Sequence, residues 1–89
     1  MNKIEVGLYT DQGNNAVVQL PNRNYPGVVI QGDSLLGLTQ AAESLLKRAK
    51  SFNDENLTDE AEEVYFGLKS ILDELRHVVK ESKLDVPYL

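Results

Sequence analysis

The chain has 89 residues, no cysteine and a formal net charge of −5. This length predicts a single domain, residues 1–89, with a small core that a partner or a second copy in a homodimer would help to stabilise. The lack of cysteine excludes disulfides, thiolate metal sites and thiol nucleophiles. No apolar signal segment or membrane-length apolar run is present, so we expect a soluble, cytoplasmic protein with no membrane partner.

The negative charge is concentrated in one segment, residues 53–63, which contains six acidic residues and no basic one. Direct binding to nucleic acid requires lysines and arginines that displace the counterions of the phosphates, so this balance predicts no direct nucleic-acid partner. A basic protein is the partner that such a charge distribution favours. The six acids are Asp54, Glu55, Asp59, Glu60, Glu62 and Glu63.

The first third of the chain, residues 3–31, predicts a three-stranded sheet. Apolar residues alternate with polar ones over 3–9 and again over 16–20, and each pattern indicates a strand with one buried face. Residues 10–15 have turn composition, and Pro21 ends the second strand. A third strand, 28–31, follows Pro26 and Gly27. The side chains expected to face the core are Ile4, Val6, Leu8, Ala16, Val18, Leu20, Val28 and Ile30.

A first helix is predicted over 35–51, because apolar residues recur there at intervals of three and four. Asp33 or Ser34 is expected to be its N-cap, and Gly37 is expected to let it lie close to the sheet. The predicted apolar stripe consists of Leu35, Leu38, Ala42, Leu45, Ala49 and Phe52.

A second helix is predicted over 58–82, after a polar linker and with Thr58 as its N-cap. Its apolar stripe consists of Ala61, Val64, Tyr65, Leu68, Ile71, Leu72, Leu75, Val78 and Val79. The apolar tail 84–89 is expected to pack back or to add a short extended segment. The fold class is therefore α+β, a three-stranded antiparallel sheet followed by two packed helices in the order β-β-β-α-α.

No catalytic group with its base, no metal cluster and no phosphate loop assembles in the sequence, so we expect a protein that is not an enzyme and holds no cofactor. The single histidine, His77, has Asp73 and Glu81 four residues to either side, a spacing that a weak divalent metal site could use. Ordinary charge pairing along an exposed helix face accounts for the same spacing better.

The acidic segment has two interpretations. Acids collect near helix N-termini because they interact favourably with the helix dipole. Six acids exceed what one helix end uses, however, and Asp54 and Glu55 precede the predicted helix. Phe66 falls beside the apolar stripe, where it would be an exposed anchor within a charged rim. On this second interpretation Phe66 and the six acids form a surface for a basic partner.

The stretch Tyr25-Pro26-Gly27-Val28-Val29-Ile30-Gln31-Gly32-Asp33-Ser34-Leu35 also has two interpretations. Its proline, glycines and aspartate suit turns and a helix cap, which is the interpretation that we favour. In the alternative, the side chains of Arg23, Tyr25, Gln31 and Asp33 contact a ligand or partner.

The same residues carry a resemblance to known families. The progression from Leu20-Pro21 through Pro26-Gly27 to Gln31-Gly32-Asp33-Ser34-Leu35 resembles the corner between strand three and helix one of HicB antitoxin domains. It is also similar to a small bacterial family bearing the motif L-P-x-R-x-x-P-G-V-x-x-Q-G-D-S-L. The HicB resemblance implies an antitoxin built on a three-stranded sheet, although Leu36-Gly37-Leu38 departs from the usual acidic turn and no DNA-binding module follows.

The profile of a short, acidic chain without catalytic residues also resembles that of bacterial immunity proteins. We therefore expect a non-enzymatic immunity protein or antitoxin that blocks the cleft of a cationic toxin domain, for example a nuclease, with its acidic surface. One alternative is a HicB-like antitoxin with a regulatory role. Another is a small enzyme or metal-binding accessory protein that uses His77.

Overall fold

A computed structural model describes residues 1–10 and 15–89 of the chain. The elements, in order, are β1 (Gly7–Leu8), β2 (Asn15–Gln19), β3 (Gly27–Ile30), α1 (Gly32–Ser51) and α2 (Glu55–Glu81). The fold is therefore the α+β arrangement β-β-β-α-α that the sequence predicts. Residues 11–14, in the predicted turn over 10–15, lie outside the described residues. Met1–Gln31 and Gly32–Leu89 form two compact units.

The first unit is an antiparallel sheet with strand order β1-β2-β3. Leu8 pairs with Val18, and Val17 pairs with Val28 on the next strand. Beyond β1, the backbone N–H of Tyr9 donates to the carbonyl oxygen of Val17 at 2.9 Å. β1 is shorter than the predicted strand over 3–9, because its ladder contains only two residue pairs.

The prediction of a buried sheet face is wrong. Ile4, Val6, Leu8, Leu20, Val28 and Ile30 are all exposed, and Ala16 and Val18 are half-buried. Alternation specifies which side chains share one side of a strand, whereas burial depends on a second layer that the pattern of a single strand does not specify.

Helix α1 begins three residues before the predicted start. Asp33 and Ser34 consequently lie in its first turn, and the expected N-cap at one of them is wrong. The Asp33 carboxylate instead accepts a hydrogen bond from the backbone N–H of Ser34 at 2.8 Å. At the other end, Asn53 has a φ of 54°, a left-handed conformation that asparagine adopts more readily than most residues and that ends the helix.

Helix α2 also begins earlier than predicted, at Glu55. Asp54 is its N-cap, because the Asp54 carboxylate accepts from the backbone N–H of Leu57 at 3.1 Å. The prediction that Thr58 caps this helix is wrong, and only residues 52–54 separate the two helices. An aspartate is as good an N-cap as threonine, so the sequence offered two acceptable starts.

The core of the second unit is a seam between α1 and α2. The α1 side chains in the seam recur at intervals of four and three, and the intervals on α2 match them. Leu72 is the most buried of all, with 2% of its surface exposed. The hydroxyl of Thr39, also buried, donates to the carbonyl oxygen of Leu35 at 2.7 Å. The seam contains Leu35, Thr39, Ala42, Leu46 and Ala49 from α1 and Ala61, Tyr65, Leu68, Leu72, Leu75 and Val79 from α2.

Part of each predicted stripe is not in the seam. The exposed members lie seven residues apart on both helices, with 40–71% of each residue's surface accessible. On α1 the predicted stripe contained Leu38 and Leu45, whereas the structure buries their neighbours Thr39 and Leu46. Both rows satisfy spacing by three and four residues. A polar residue such as Thr39 does not suggest a core position. We call the exposed members, together with Leu57 at the same spacing, the outer stripe; it consists of Leu38, Leu45 and, directly after α1, Phe52, and of Leu57, Val64, Ile71 and Val78 on α2.

The C-terminal tail packs back, which is one of its two predicted placements. Lys83 has a φ of 54°, and the backbone N–H of Leu84 donates to the carbonyl oxygen of Val79 at 3.0 Å, which reverses the chain. Tyr88 then reaches the start of α1, where a Cβ atom added to Gly32 would lie 2.5 Å from the Tyr88 hydroxyl oxygen. Within residues 1–10 and 15–89, no helix combines the length and apolar character needed to cross a membrane.

Two glycines of α1 should respond in opposite ways to alanine. No described atom beyond the local helix lies within 4 Å of a Cβ atom at Gly37, so Gly37→Ala should stabilise the protein by about 0.5–1 kcal/mol. A Cβ atom at Gly32 would lie 2.9 Å from a Leu75 methyl group as well as against Tyr88. Gly32→Ala should therefore not stabilise the protein and should displace the tail.

Urea unfolding of Gly32→Ala, Tyr88→Ala and the double variant measures this coupling. The loss caused by Gly32→Ala should shrink when Tyr88 is already alanine. Equal stabilisation by Gly32→Ala and Gly37→Ala would contradict the contact between the tail and α1.

Candidate functional site

The first turns of α2 bring most of the acidic segment onto one face. Glu55, Asp59, Glu62 and Phe66 follow one another at intervals of four, three and four residues, which places them along one side of a helix. Glu63 is adjacent to this row, and all of these residues are exposed except the half-buried Glu62. We call these five residues the acidic face.

Two of the six predicted acids lie outside the acidic face. Asp54 is occupied as the N-cap of α2. Glu60 points to another side of the helix, where it lines a groove together with Arg48. The expectation that Glu55 precedes the helix is wrong, because α2 begins at Glu55; Asp54 does precede it, as its N-cap. Helix capping and the helix dipole therefore account for more of the acidic segment than the sequence suggested.

The carboxylates of the acidic face are not neutralised by ion pairs. In the described part of the chain, the ion pairs within 4.0 Å join Lys47 to Glu43 and join Asp73 to Lys69 and Arg76. Lys50 lines the same depression as Asp54, Glu55 and Asp59 at the start of α2, but within the described residues it forms no ion pair with them within 4.0 Å. The carboxylates of the acidic face thus lie outside any ion pair within this distance.

Phe66 gives the acidic face an aromatic centre. It is 54% exposed, as expected from its place beside the apolar stripe. Its ring lies 5.1 Å, between centroids, from the ring of Tyr65 at an angle of 49°. Because Tyr65 is held in the seam, the adjacent ring supports Phe66 without covering it.

A hydrogen bond between the helices fixes Tyr65 in turn. The Tyr65 hydroxyl donates to the Glu43 carboxylate at 2.9 Å. This hydrogen bond, with help from Lys47 at 3.1 Å, lowers the pKa of Glu43, and the same carboxylate raises the pKa of Tyr65. The sequence did not predict this pair, and the place of Tyr65 in the predicted apolar stripe was its only signal.

The groove between the two helices was also missed. It has a volume of about 370 Å³ and an apolar lining, with Leu45 from α1, Phe52 just after α1, and Leu57 and Val64 from α2. The sequence does contain a signal for the groove, a second apolar row at intervals of seven residues. The predicted stripes combined this row with the seam residues, so it was not recognised as separate.

The expected metal-binding alternative is not assembled. His77 is exposed, and the carboxylate of Asp73 is engaged by Lys69 at 2.7 Å, which raises the pKa of Lys69. Among the residues that the structure describes, no group of three histidine or acidic side chains could hold a metal ion.

The expected loop contacts fall in both units. Arg23, Tyr25 and Gln31 belong to the sheet unit and are exposed, while Asp33 belongs to the helical unit. The loop after β2 is a turn in which the backbone N–H of Arg23 donates to the carbonyl oxygen of Leu20 at 3.2 Å. The side-chain amide of Gln19 donates to the carbonyl oxygen of Arg23. These contacts fit the structural interpretation of the loop.

Residues 1–88 match the model of DUF6959, a family of unknown function. The chain belongs to this family. No curated protein sequence and no solved structure gives a significant match. For this DUF6959 protein, the family therefore supplies no activity, and the surfaces of the helical unit carry the functional argument.

The hydrogen bond between Tyr65 and Glu43 should be visible in a pH titration. A carboxyl group with a lowered pKa in the folded state stabilises the fold above its unfolded pKa of about 4.3 and loses that contribution as pH falls through the folded pKa. Tyr65→Phe should raise the pKa of Glu43 toward its usual value, with Lys47 still holding it somewhat low.

Carbon-detected NMR of the Glu43 side chain measures this titration. Tyr88→Phe is the matched control, because it removes a tyrosine hydroxyl elsewhere in the helical unit and should leave Glu43 unchanged. An identical Glu43 pKa in wild type and Tyr65→Phe would show that the hydrogen bond is absent in solution.

Proposed function

We propose that this protein is a non-enzymatic binding protein, an immunity protein or antitoxin, that neutralises a cationic toxin domain by covering its cleft. The observation that carries this proposal is the acidic face. It combines four carboxylates outside any ion pair within 4.0 Å with a half-exposed phenylalanine. The resemblance of the chain's profile to immunity proteins adds the toxin class.

The acidic face offers both parts of a protein-binding surface. The carboxylates attract a basic partner over about 8 Å at physiological ionic strength, which speeds encounter and selects against acidic proteins. Phe66 then supplies apolar contact area, and aromatic side chains within a polar rim are frequent sites of high binding energy. Support from Tyr65 lowers the entropy that Phe66 loses on binding.

A nuclease is a suitable target for such a surface. The cleft of a nuclease that binds a phosphate backbone is lined with lysines and arginines. Carboxylates spaced along a helix can occupy that cleft in place of phosphates, which blocks the substrate without any reaction in the inhibitor. No observation on the described residues specifically favours a HicB-like regulatory role or a centre built on His77.

Charge reversal tests the acidic face directly. The triple variant Asp59→Lys, Glu62→Lys and Glu63→Lys should slow association with the basic partner by about 10- to 1,000-fold at low salt and remove most of its salt dependence. The control reverses Glu74, Glu81 and Asp85, which are exposed and lie outside the acidic face. The control has the same net charge as the triple variant of the acidic face, but it should associate with the partner almost as fast as wild type.

The partner is obtained by retaining proteins from a lysate of the source cell on immobilised wild type and on both variants. A basic protein should be retained by wild type and by the control but not by the reversed acidic face. Stopped-flow association rates, and survival of cells that express the partner, then compare the three chains. Equal rates and equal protection would sink the acidic-face mechanism.

Folding must be separated from binding in this test. The reversed chain loses favourable helix-dipole interactions of about 0.3–1 kcal/mol for each acid near the N-terminus. A circular-dichroism melt measures that loss. Phe66→Ala provides a second variant, because this exposed side chain can be removed with little change in stability while the lifetime of the complex shortens.

A further inference from the structure

The outer stripe is a second apolar surface on the helical unit, separate from the acidic face. Its members repeat every seven residues on both helices, next to the seam positions. α1 and α2 run antiparallel, as contacts near each end show: Tyr65 bonds to Glu43, and Leu75 lies beside Gly32. In an antiparallel helix pair, residues that directly precede seam residues fall on the same side of both helices.

The groove confirms that the two rows meet on one side. Leu45 lines it from α1 and Phe52 from the residue that follows α1, while Leu57 and Val64 line it from α2. One heptad further along, Leu38 and Ile71 continue the two rows. The helical unit is thus an antiparallel pair with a polar side that includes Glu43 and Lys69 and an apolar side along its length.

The size of the outer stripe suits a dimer interface. Seven apolar side chains, each presenting on the order of 100 Å², amount to about 700 Å² on each chain, close to the roughly 800 Å² per partner of a standard stable interface. The buried core offers little by comparison, since the buried apolar residues among residues 1–10 and 15–89 are Leu35, Ala42, Leu46, Ala49 and Leu72. A chain of this size gains stability from such an association.

Charge at the edge of the groove selects the arrangement. Arg48 lines it from α1 and Glu60 lines it from α2. A two-fold axis parallel to the helices places α1 of one chain over α2 of the other and preserves position along the axis. Arg48 of each chain then faces Glu60 of its partner, whereas an axis across the helices would not form this pair.

We propose that the outer stripe binds a second copy of this chain, so that two helix pairs form a four-helix bundle with Arg48 of each chain opposite Glu60 of the other. Helix pairs with apolar rows at heptad spacing pack in this way at about 20°. The acidic face lies on the far side of α2 from the outer stripe, so the dimer presents two acidic faces.

Sedimentation velocity of the full chain tests the dimer without any partner protein. Wild type should be a dimer at about 100 μM. The double variant Leu45→Glu and Val64→Glu should be a folded monomer, with a dissociation constant raised at least about 100-fold, because it places charges in an apolar interface. The control, Ser44→Glu and Ser70→Glu, adds the same charge at exposed positions away from the stripe and should remain a dimer.

A mixing experiment tests the arrangement. Arg48→Glu and Glu60→Arg should each weaken self-association by about tenfold, because like charges then meet twice across the two-fold axis. An equimolar mixture of the two variants should recover the dimer, since both contacts in the mixed pair join opposite charges. Recovery cannot come from contacts within one chain, because each chain still carries two like charges at these positions.

A spin label on Ser44→Cys gives an independent measurement, as the chain has no other cysteine. A dipolar distance between labels supports the dimer. A monomeric wild type at about 100 μM, or a dimer that the Leu45→Glu and Val64→Glu variant leaves intact, overturns the proposal. No recovery in the mixture overturns the Arg48 to Glu60 arrangement. None of these outcomes depends on the acidic face.

Discussion

The seam between α1 and α2 is the packing interaction on which both functional surfaces depend. It removes one row of side chains on each helix from water, with Leu72 at its most buried point. Because a helix is a rigid repeat, fixing that row also fixes where every other side chain on the helix points. The positions of the acidic face and of the outer stripe therefore follow from the seam.

The acidic face and the outer stripe differ in chemistry for a local reason. On α2, acids occupy the turns near the N-terminus, where the helix dipole stabilises them, and the positions away from α1 leave four of them on one side. On the other side, apolar residues repeat every seven positions beyond the seam. A charged surface and an exposed apolar surface can therefore coexist on a helix of 27 residues.

One hydrogen bond between the helices connects the packing of the seam to the acidic face. Tyr65 contributes its ring to the seam and donates its hydroxyl proton to Glu43, so its orientation is determined from both ends. Phe66, the next residue, is held against it and remains exposed. Through this pair, the packing of the helices positions the aromatic centre of the acidic face.

Element order and helix existence could be predicted from the sequence, because periodicities of two and of 3.6 residues are strong local signals. Helix starts were misplaced where two good caps competed, as Asp54 and Thr58 did for α2. Burial was predicted less well, because it depends on packing partners: Leu38 and Leu45 satisfy the same spacing as the buried Thr39 and Leu46. For the candidate surface, the sequence predicted the exposure of Phe66 beside the acids of α2, whereas the Glu43 to Tyr65 bond and the groove required the pairing of two helices.

Hydrogen exchange of the Leu72→Ala variant tests the dependence on the seam most directly. Truncating this buried leucine should cost about 2–5 kcal/mol. If the two helices stabilise each other, the protected amides of α1 should lose as much protection as those of α2, although the substitution is on α2 alone. Loss of protection confined to α2, with α1 amides unchanged, would contradict a fold that depends on the seam.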